Sequence, residues 1–277
     1  MRFGVYVPTS NEYDVRSLVD LAREAEAVGW DGFFIWDNIL ATFDGTGVLA
    51  DTTVALTAIA LATQRVRFGA LVTPIARRRP WKLARETATL DHLSHGRLVF
   101  GAGLGGTWDL VPVGEFTTES ARARQLDEGL EVLTALWSGQ PANHRGGHFT
   151  LESARVAPAP IQRPRIPVWV AGHWPVRAPF RRAARWDGVA PVRAGHLFEG
   201  LTPPEVRDCV ALVTSYRDTT APFDVVFFHT SQARDGNLVA QYEDAGATWW
   251  LESTFPLTES LPEFRRRMRA GPPGLQA

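Results

Sequence analysis

The sequence predicts an α/β fold, a single (β/α)8 TIM barrel over residues 1–277, from three observations. Short apolar runs rich in β-branched and aromatic residues alternate with helical patterns along the whole chain, in eight successive pairs. The apolar runs are continuous, as in parallel strands that are covered on both faces. No Ser- or Gly-rich linker divides the chain, which favours one domain. A doubly wound open sheet is the alternative fold.

The first half of the chain supplies four strand and helix pairs. The predicted strands are Phe3–Val7 and the runs DGFFIW, VRFGALV and RLVFGAG. After the first strand, the positions Leu18, Leu21, Ala22, Ala25 and Val28 form one helical face that ends at Gly29. The next helices are Thr52–Ala62, one that starts at Pro80 and ends at Gly96, and one that is capped by Thr118 and ends at Gly139.

The second half repeats the pattern. Its predicted strands are IPVWVAG, GVAPV, DVVFFH and TWWLES, and its helices lie near Ala178–Arg185, Pro204–Tyr216, Leu238–Asp244 and Leu261–Arg269. An irregular excursion at about 140–167 contains several prolines and the run HFTLESARV, which suggests a small hairpin.

Composition excludes several classes of protein. The net charge of −1 and the pI near 6.7 do not favour a nucleic-acid or membrane partner. The single cysteine, Cys209, excludes an intrachain disulfide, and the pairs His92/His95 and His144/His148 lack a metal-binding motif, so no metal is expected. The N-terminus lacks a long apolar segment, and a cytoplasmic location is expected. The assembly, including a homodimer, stays open.

In a barrel, functional residues gather where the strands end. These positions include Trp36, Asp37 and Asn38 after strand two, and Thr73 after strand three. Gly101 to Gly106 follow strand four, Gly172 to Trp174 follow strand five, and His229 ends strand seven. Glycines, aromatic rings and amides are suited to binding a flat, phosphate-bearing ligand. They do not favour glycoside hydrolysis, which needs two carboxyl groups positioned beside the scissile bond.

The turn after strand five suggests an anion site. Gly172 leaves the backbone bare, Pro175 stands where a helix begins, and Arg177 adds a charge. We therefore expect a phosphate at Gly172, His173 and Trp174. A Pro-initiated helix with a solvated basic face is the alternative, and the arginines at 181, 182 and 185 are expected to face solvent.

Two further patterns have both a functional and a structural interpretation. GAGLGG matches the dinucleotide-binding pattern through Gly101, Gly103 and Gly106, but no helix follows at once, so close approach to a planar ring or a plain flexible loop is expected instead. His229 is either a group facing the barrel mouth or a rim histidine with a structural partner.

Four segments in order resemble the luciferase-like family of flavin-dependent oxidoreductases, which includes FMN monooxygenases and coenzyme F420-dependent enzymes. The segments are EAEAVGWDGFFIWD, TPIARRRPWKLARETATLDHLSHGRLVFGAGLG, RARQLDEGLEVLTALWSG and the stretch VAPAPIQRPRIPVWVAG with RRAARWDG. The resemblance implies a flavin or deazaflavin ring at the strand ends, with a phosphate near Gly172 to Arg177.

The resemblance also implies a non-proline cis peptide that supports the ring, at Ala70-Leu71 just before Thr73. The family often has a histidine where this chain has Asn38, and an amide cannot carry a proton. We therefore expect Asn38 to orient the ring or the substrate, and proton transfer to come from the substrate, from water or from another group such as His229. The loop TSQARDGN is shorter than in many relatives.

These observations predict an oxidoreductase that uses reduced FMN or F420 to oxygenate or reduce a small organic substrate. Two alternatives are a non-catalytic flavin-binding barrel and a non-redox barrel enzyme that acts on a phosphorylated small molecule. A Schiff-base mechanism is disfavoured because the only lysine, Lys82, lies at a helix start.

Overall fold

The computed structural model describes residues 1–39, 48–115, 117–195, 199–232, 234–254 and 259–274. Within them, parallel strands β1 to β8 alternate with helices α1 to α8, which confirms the predicted barrel. The strands are Arg2–Val7, Gly32–Ile35, β3 in two pieces (Arg67–Ala70 and Thr73–Pro74), Phe100–Gly103, Val168–Trp174, Gly188–Arg193, Asp224–His229 and Trp249–Ser253. The helices are Val15–Ala27, Thr52–Ala62, Pro80–Leu93, Glu119–Trp137, Arg177–Ala183, Pro203–Thr214, Gly236–Asp244 and Leu261–Arg269.

The sheet closes on itself through the two pieces of β3. Its order runs from the first piece of β3 through β2, β1, β8, β7, β6, β5 and β4 to the second piece. The first piece also forms a parallel bridge to the chain leading into β4, between Phe68 and Leu98. Every strand pair in this ring is parallel, so all the C-terminal ends lie at one mouth.

An aromatic plug fills the lower half of the barrel. The ring centroid of Phe34 lies 5.2 Å from that of Trp169 and 5.8 Å from that of Trp249, and the two tryptophans are 5.3 Å apart. All three side chains are fully buried. Glycines on the inner faces of neighbouring strands give these rings room: a Cβ at Gly32 would lie 2.9 Å from the Trp249 ring. A ligand therefore has space only above this plug.

Between α4 and β5 the chain leaves the barrel. Ala142–Arg145 pairs with Thr150–Ala154 as an antiparallel hairpin within the predicted excursion. Glu128 of α4 holds the hairpin, because its carboxylate accepts hydrogen bonds from the backbone N–H groups of His148 and Phe149.

The first and last helices are joined by ion pairs. Glu24 of α1 pairs with Arg265 and Arg269 of α8, and Arg269 Nη2 lies 2.7 Å from the carboxylate. The hydrogen bond from Arg265 is the main cause that lowers the pKa of Glu24 to about 2. These contacts join the last helix to the first, beside the neighbouring strands β8 and β1.

Candidate active site

The floor of the barrel mouth is apolar and half-buried. Tyr6, Val72, Ala190 and Phe228 pack on top of the aromatic plug and remain partly exposed on the mouth side. The ring centroid of Tyr6 lies 6.3 Å from that of Trp36 and 5.9 Å from that of Phe228. Three aromatic rings from β1, β7 and the end of β2 thus form an arc suited to a flat ring system.

Tyr6 links this arc to β3. Its hydroxyl donates a 2.6 Å hydrogen bond to the carbonyl oxygen of Leu71. Burial raises the pKa of Tyr6 well above its ordinary value, so the hydroxyl stays protonated and acts as a donor. The side chain therefore fixes the position of the backbone beside the floor.

Strand β3 changes face at its break. Leu71 and Val72 both belong to the inner cluster, whereas Ala70 and Thr73 line a cavity of about 30 Å³ that also contacts Leu56 and Leu83 of the helix layer. The non-proline cis peptide joins Leu71 to Val72, so its prediction at Ala70-Leu71 is wrong by one residue. Strand alternation around the break points the side chains of Ala70 and Thr73 outward, and their contacts with a ring stay a prediction.

The glycines of β4 make room for protein rather than for a ring. A Cβ at Gly101 would lie 2.2 Å from the carbonyl oxygen of Ala70, and one at Gly103 would lie 2.1 Å from Cγ2 of Val72. The bare inner face of β4 is therefore covered by Leu71 and Val72. The structure favours this close packing over the expected direct approach of the backbone to a cofactor.

Asp37 anchors the chain after β2. Its carboxylate pairs with Arg77 at 2.7 Å and with Arg78 at 2.6 Å, and Arg77 also pairs with Asp109 of the β4–α4 loop. The side chains of Asp37, Arg77 and Asp109 are each at most 5% exposed. Because its oxygens are committed to arginines, Asp37 fits a positioning role better than the predicted contact with a cofactor.

Asn38 stands at the mouth beside this anchor. Its Oδ1 accepts a 2.8 Å hydrogen bond from the hydroxyl of Thr9, which is fully buried. The next backbone N–H, that of Ile39, donates to Asp109 at 2.7 Å. A cleft of about 380 Å³ opens alongside and is lined by Asn38, Arg78 and Glu115, among others. The described geometry therefore places Asn38 at an open part of the site.

At the end of β5, alternation separates the predicted anion-binding residues. Gly172 and Trp174 face α5: a Cβ at Gly172 would lie 2.7 Å from Pro179, and Trp174 contacts the Phe180 ring at 5.5 Å. His173 points to the opposite, inner side and is exposed. The bare backbone of Gly172 thus has a packing cause, and of these three residues, which belong to β5 and not to the predicted turn, only His173 faces the mouth.

Helix α5 also differs from its prediction. It begins at Arg177 rather than at Pro175 and extends for 7 residues. Arg177 is exposed and has no ion-pair partner in the described part of the chain. Arg182, expected to face solvent, instead pairs with Asp127 of α4 at 2.7 Å and is 9% exposed.

His229 does not face the mouth, which corrects its predicted catalytic role. Its ring lies on the helix side of β7, 5.3 Å from the Trp250 ring and 5.9 Å from that of Tyr242. Its Nδ1 lies 2.6 Å from the carbonyl oxygen of Thr230. Phe228, the preceding residue, takes the inner position. The histidine is a rim residue with structural partners.

Sequence reasoning missed most of the floor. Tyr6, Val72, Ala190 and Phe228 lie inside continuous apolar runs, where the sequence does not mark which residues face inward. Arg77 was also missed, although the run Arg77 to Arg79 directly after β3 was a signal for a charged anchor.

The described residues contain neither a membrane-spanning helix nor a cluster of metal ligands. None of their helices combines the length and the apolarity needed to cross a membrane. No three of their His, Cys, Asp or Glu side chains come together in a way that would hold a metal ion.

Comparison with known proteins agrees with this geometry. The sequence model of the luciferase-like monooxygenase family matches residues 1–192. The chain belongs to the luciferase-like monooxygenase family. The match covers β1 to β5 and β6 as far as Val192, and it includes the floor residues Tyr6, Val72 and Ala190.

The curated relatives of this chain include both a named enzyme and an uncharacterized protein. An F420-dependent glucose-6-phosphate dehydrogenase of Amycolatopsis mediterranei is 29% identical over 178 residues, which is 63% of this chain and 53% of that protein. An uncharacterized protein of Mycobacterium tuberculosis is 28% identical over 258 residues, with 85% of this chain and 84% of that protein covered. The chain thus spans about half the length of the first of these curated relatives.

Solved structures show the same luciferase-like fold. An F420-dependent secondary alcohol dehydrogenase in complex with an F420-acetone adduct has a TM-score of 0.78 at 17% identity, over 97% of this chain and 98% of that one. The monooxygenase RslO1 from Streptomyces bottropensis has a TM-score of 0.73 at 20% identity, over 98% and 97%. At these identities the likeness concerns the fold alone.

Proposed function

We propose that this chain is an oxidoreductase that uses reduced FMN or coenzyme F420 to oxygenate or reduce a small organic molecule. The observation that carries the proposal is the aromatic and apolar floor at the C-terminal mouth of a luciferase-like barrel. One relative is named for F420 dependence and one solved structure for monooxygenation, so the proposal leaves the cofactor open between F420 and FMN.

The residues present fit such a cofactor. Tyr6, Val72 and Phe228 offer an apolar surface for a planar ring, and Leu71 supplies the backbone beside it. Arg177 offers an unpaired cation near the end of β5 for a phosphate, and His173 lies on the inner side of the same strand. Since α5 is a short helix, the charge of Arg177 supports this assignment more strongly than the helix dipole does.

The bound cofactor would supply the hydride or oxygen chemistry. The chain itself would bind the ring, exclude water from its lower side through the plug, and orient the substrate. Asn38 would do so through its amide, while Thr9 holds the Oδ1 end. His173 is the imidazole that the described inner surface offers for moving a proton.

A non-catalytic flavin-binding barrel is the second candidate. Two observations favour it: an amide replaces an imidazole at position 38, and His229 packs away from the mouth. This candidate shares the cofactor site and lacks the turnover.

Equilibrium binding tests the proposal. Titration with FMN and with F420, each oxidised and reduced, is expected to give saturable binding of one of them. The variant Arg177→Ala should bind that cofactor at least about tenfold more weakly, because a charge-assisted contact to phosphate is lost. Arg181→Ala, which removes an exposed arginine of the same helix, is the matched control. Absence of binding for both cofactors contradicts the proposal, and binding without reoxidation by any substrate favours the second candidate.

A further inference from the structure

Two arginines face the inside of the barrel at its lower end, where the strands begin and which lies opposite the mouth. Arg2 of β1 stands beside Trp249 of β8 in the strand register, and Arg67 of β3 stands beside Gly32 of β2. Trp249 belongs to the plug, and a Cβ at Gly32 would lie 2.9 Å from its ring, so both neighbours face inward. Because residues paired in parallel strands share a face, Arg2 and Arg67 also face inward.

The packing below the plug leaves room between these arginines. Strand β2 runs between β1 and β3, and its inner position at the level of Arg67 is Gly32, which has no side chain. The Cζ atom of Arg2 lies 5.5 Å from the centroid of the Trp249 ring, directly under the plug. Arg2 is exposed and Arg67 is half-buried. The pair is therefore accessible from solvent at the lower end.

Neither guanidinium group has an ion-pair or hydrogen-bond partner in the described residues. These residues include every segment that leads from a helix into a barrel strand, at 28–31, 63–66, 94–99, 138–167, 184–187, 215–223 and 245–248. Asp224 at the start of β7 is the carboxylate that faces inward near the pair. Its oxygens accept hydrogen bonds from Nε1 of Trp169 at 3.1 Å and from the hydroxyl of Thr248 at 3.2 Å.

Other charged groups at this end have structural partners. Glu26 accepts a hydrogen bond from the backbone N–H of Val66 at 2.9 Å, and Arg97 donates to the carbonyl oxygen of the same residue at 2.9 Å. Asp187 accepts from the backbone N–H of Val168 at 2.7 Å. The two inward-facing arginines differ from these groups, because their charges fix no part of the backbone.

The surroundings of Arg67 disfavour its charge. Burial is the main cause that lowers the pKa of Arg67, and the charge of Arg2 lowers it further, while Asp224 acts in the opposite direction. The folded protein thus holds two like charges near each other without a directly bound counter-ion. An anion between them would relieve this repulsion.

We propose that the lower end of the barrel binds a phosphate group, as inorganic phosphate or as a phosphate monoester, between the guanidinium groups of Arg2 and Arg67. A guanidinium group donates two parallel hydrogen bonds to a phosphate, and two such groups can hold one anion from two sides. Because the anion binds only the folded chain, it stabilises the barrel by mass action. The plug separates this site from the mouth, so the proposal does not depend on the cofactor.

Calorimetry with inorganic phosphate tests the proposal. The titration uses the full chain carrying Arg177→Ala, which removes the cation proposed for the cofactor phosphate. We expect saturable binding in this background, and Arg67→Gln or Arg2→Gln should each weaken it at least about tenfold. Arg16→Gln, which removes an exposed arginine of α1, is the matched control and should bind as before.

A variant of opposite sign tests whether charge is the cause. Asp224→Asn keeps the size of the side chain and removes the negative charge near the pair, so it should tighten phosphate binding about threefold or more. A purely structural role of Asp224 would not produce this gain. Glycerol 3-phosphate is the second probe: affinity equal to that of inorganic phosphate assigns monoesters to the site as well, and much weaker binding assigns the free anion.

Thermal melts give an independent measurement. Phosphate should raise the Tm of the protein, whereas sodium chloride at the same ionic strength should not, and the rise should disappear in Arg67→Gln. If that variant fails to fold, Arg2→Gln serves in its place. Absence of phosphate binding in the Arg177→Ala background, or equal affinity after loss of either arginine, would overturn the proposal. Cofactor binding is measured separately, so neither result decides the proposed function.

Discussion

At the scale of single residues, partners decide role more than residue type does. Tyr6 is half-buried and Tyr13 is buried, and burial raises the pKa of each well above its ordinary value. Of these two tyrosines, only Tyr6 forms a hydroxyl hydrogen bond in the described structure, to the carbonyl oxygen of Leu71; the Tyr13 hydroxyl has none. The two tyrosines therefore offer a matched comparison.

The variant Tyr6→Phe is expected to lower the free energy of unfolding by about 1–3 kcal/mol, because the Leu71 carbonyl is left without its partner. Tyr13→Phe should be neutral or slightly stabilising. Urea denaturation measures both. Equal losses in the two variants would show that the hydrogen bond contributes nothing specific.

Asn38 keeps its expected orienting role, whereas His229 lies outside the mouth and is no longer expected to transfer protons. With an accepted substrate, Asn38→Ala should lower turnover about tenfold, the effect of one lost hydrogen bond. His229→Gln should stay within about twofold of the parent, since the ring packs on Trp250 outside the mouth. Steady-state kinetics decides this, and a loss of about 100-fold at His229 would restore its predicted acid–base role.

At the scale of elements, the packing of β4 on β3 shapes the floor. The inner face of β4 is bare at Gly101 and Gly103, and the side chains of Leu71 and Val72 fill this space. The obstacle at Gly101 is a backbone carbonyl, which cannot move aside as a flexible side chain would.

Gly101→Ala should therefore lower the free energy of unfolding by about 1–3 kcal/mol or more, because its Cβ would overlap the Ala70 carbonyl. Gly147→Ala in the hairpin is the control, since its Cβ would meet nothing closer than 3.9 Å. Thermal melts of both variants test this, and a Gly101→Ala protein as stable as the control would refute close packing at this position.

The α1–α8 ion pairs should make stability depend on pH. Because the pKa of Glu24 falls from 4.5 to about 2 in the folded protein, its contribution is complete above pH 4.5 and is lost as the pH falls toward 2. Glu24→Gln should therefore be less stable than the parent at pH 7, and this difference should disappear near pH 2. Urea denaturation across this range measures it.

Asp20→Asn is the control for this pH dependence. Asp20 lies on the same helix, and its contact with Arg23 is exposed and 4.0 Å long. Little difference from the parent is expected at any pH. A Glu24→Gln deficit that persists unchanged at low pH would mean that packing, not charge, joins α1 and α8.

At the scale of the whole molecule, the barrel divides into a filled lower half and an open mouth. Trp249 belongs to the lower half; it is fully buried, and its indole N–H has no hydrogen-bond partner in the described structure. Its contribution to stability is therefore one of packing.

Trp249→Ala should lower the free energy of unfolding by about 3–5 kcal/mol, through lost burial and the cavity left behind. Trp81→Ala, at a position that is 40% exposed, should cost much less. Guanidinium denaturation compares the two. Similar small losses would mean that the plug is not the main core of the barrel interior.

The sequence alone determined the barrel. Apolar runs such as VWVAG and DVVFFH, each followed by a helical pattern, repeat because every strand is covered on both faces, and this repetition is local information. It also placed Asn38 just after a strand, whereas the turn predicted at Gly172 lies inside β5, which continues to Trp174. The cis peptide was predicted from resemblance and lay one residue away, at Leu71-Val72.

Only the tertiary structure decided which side chains face the mouth. In a strand that is apolar on both faces, the pattern does not distinguish inside from outside, and a one-residue difference reverses the assignment. Phe228 thus lies inside and His229 outside, His173 inside and Gly172 against α5. The partners of Asp37 were equally hidden, because Arg77 and Arg78 meet it only when the ends of β2 and β3 come together at one rim. Arg77 also pairs there with Asp109, which follows β4.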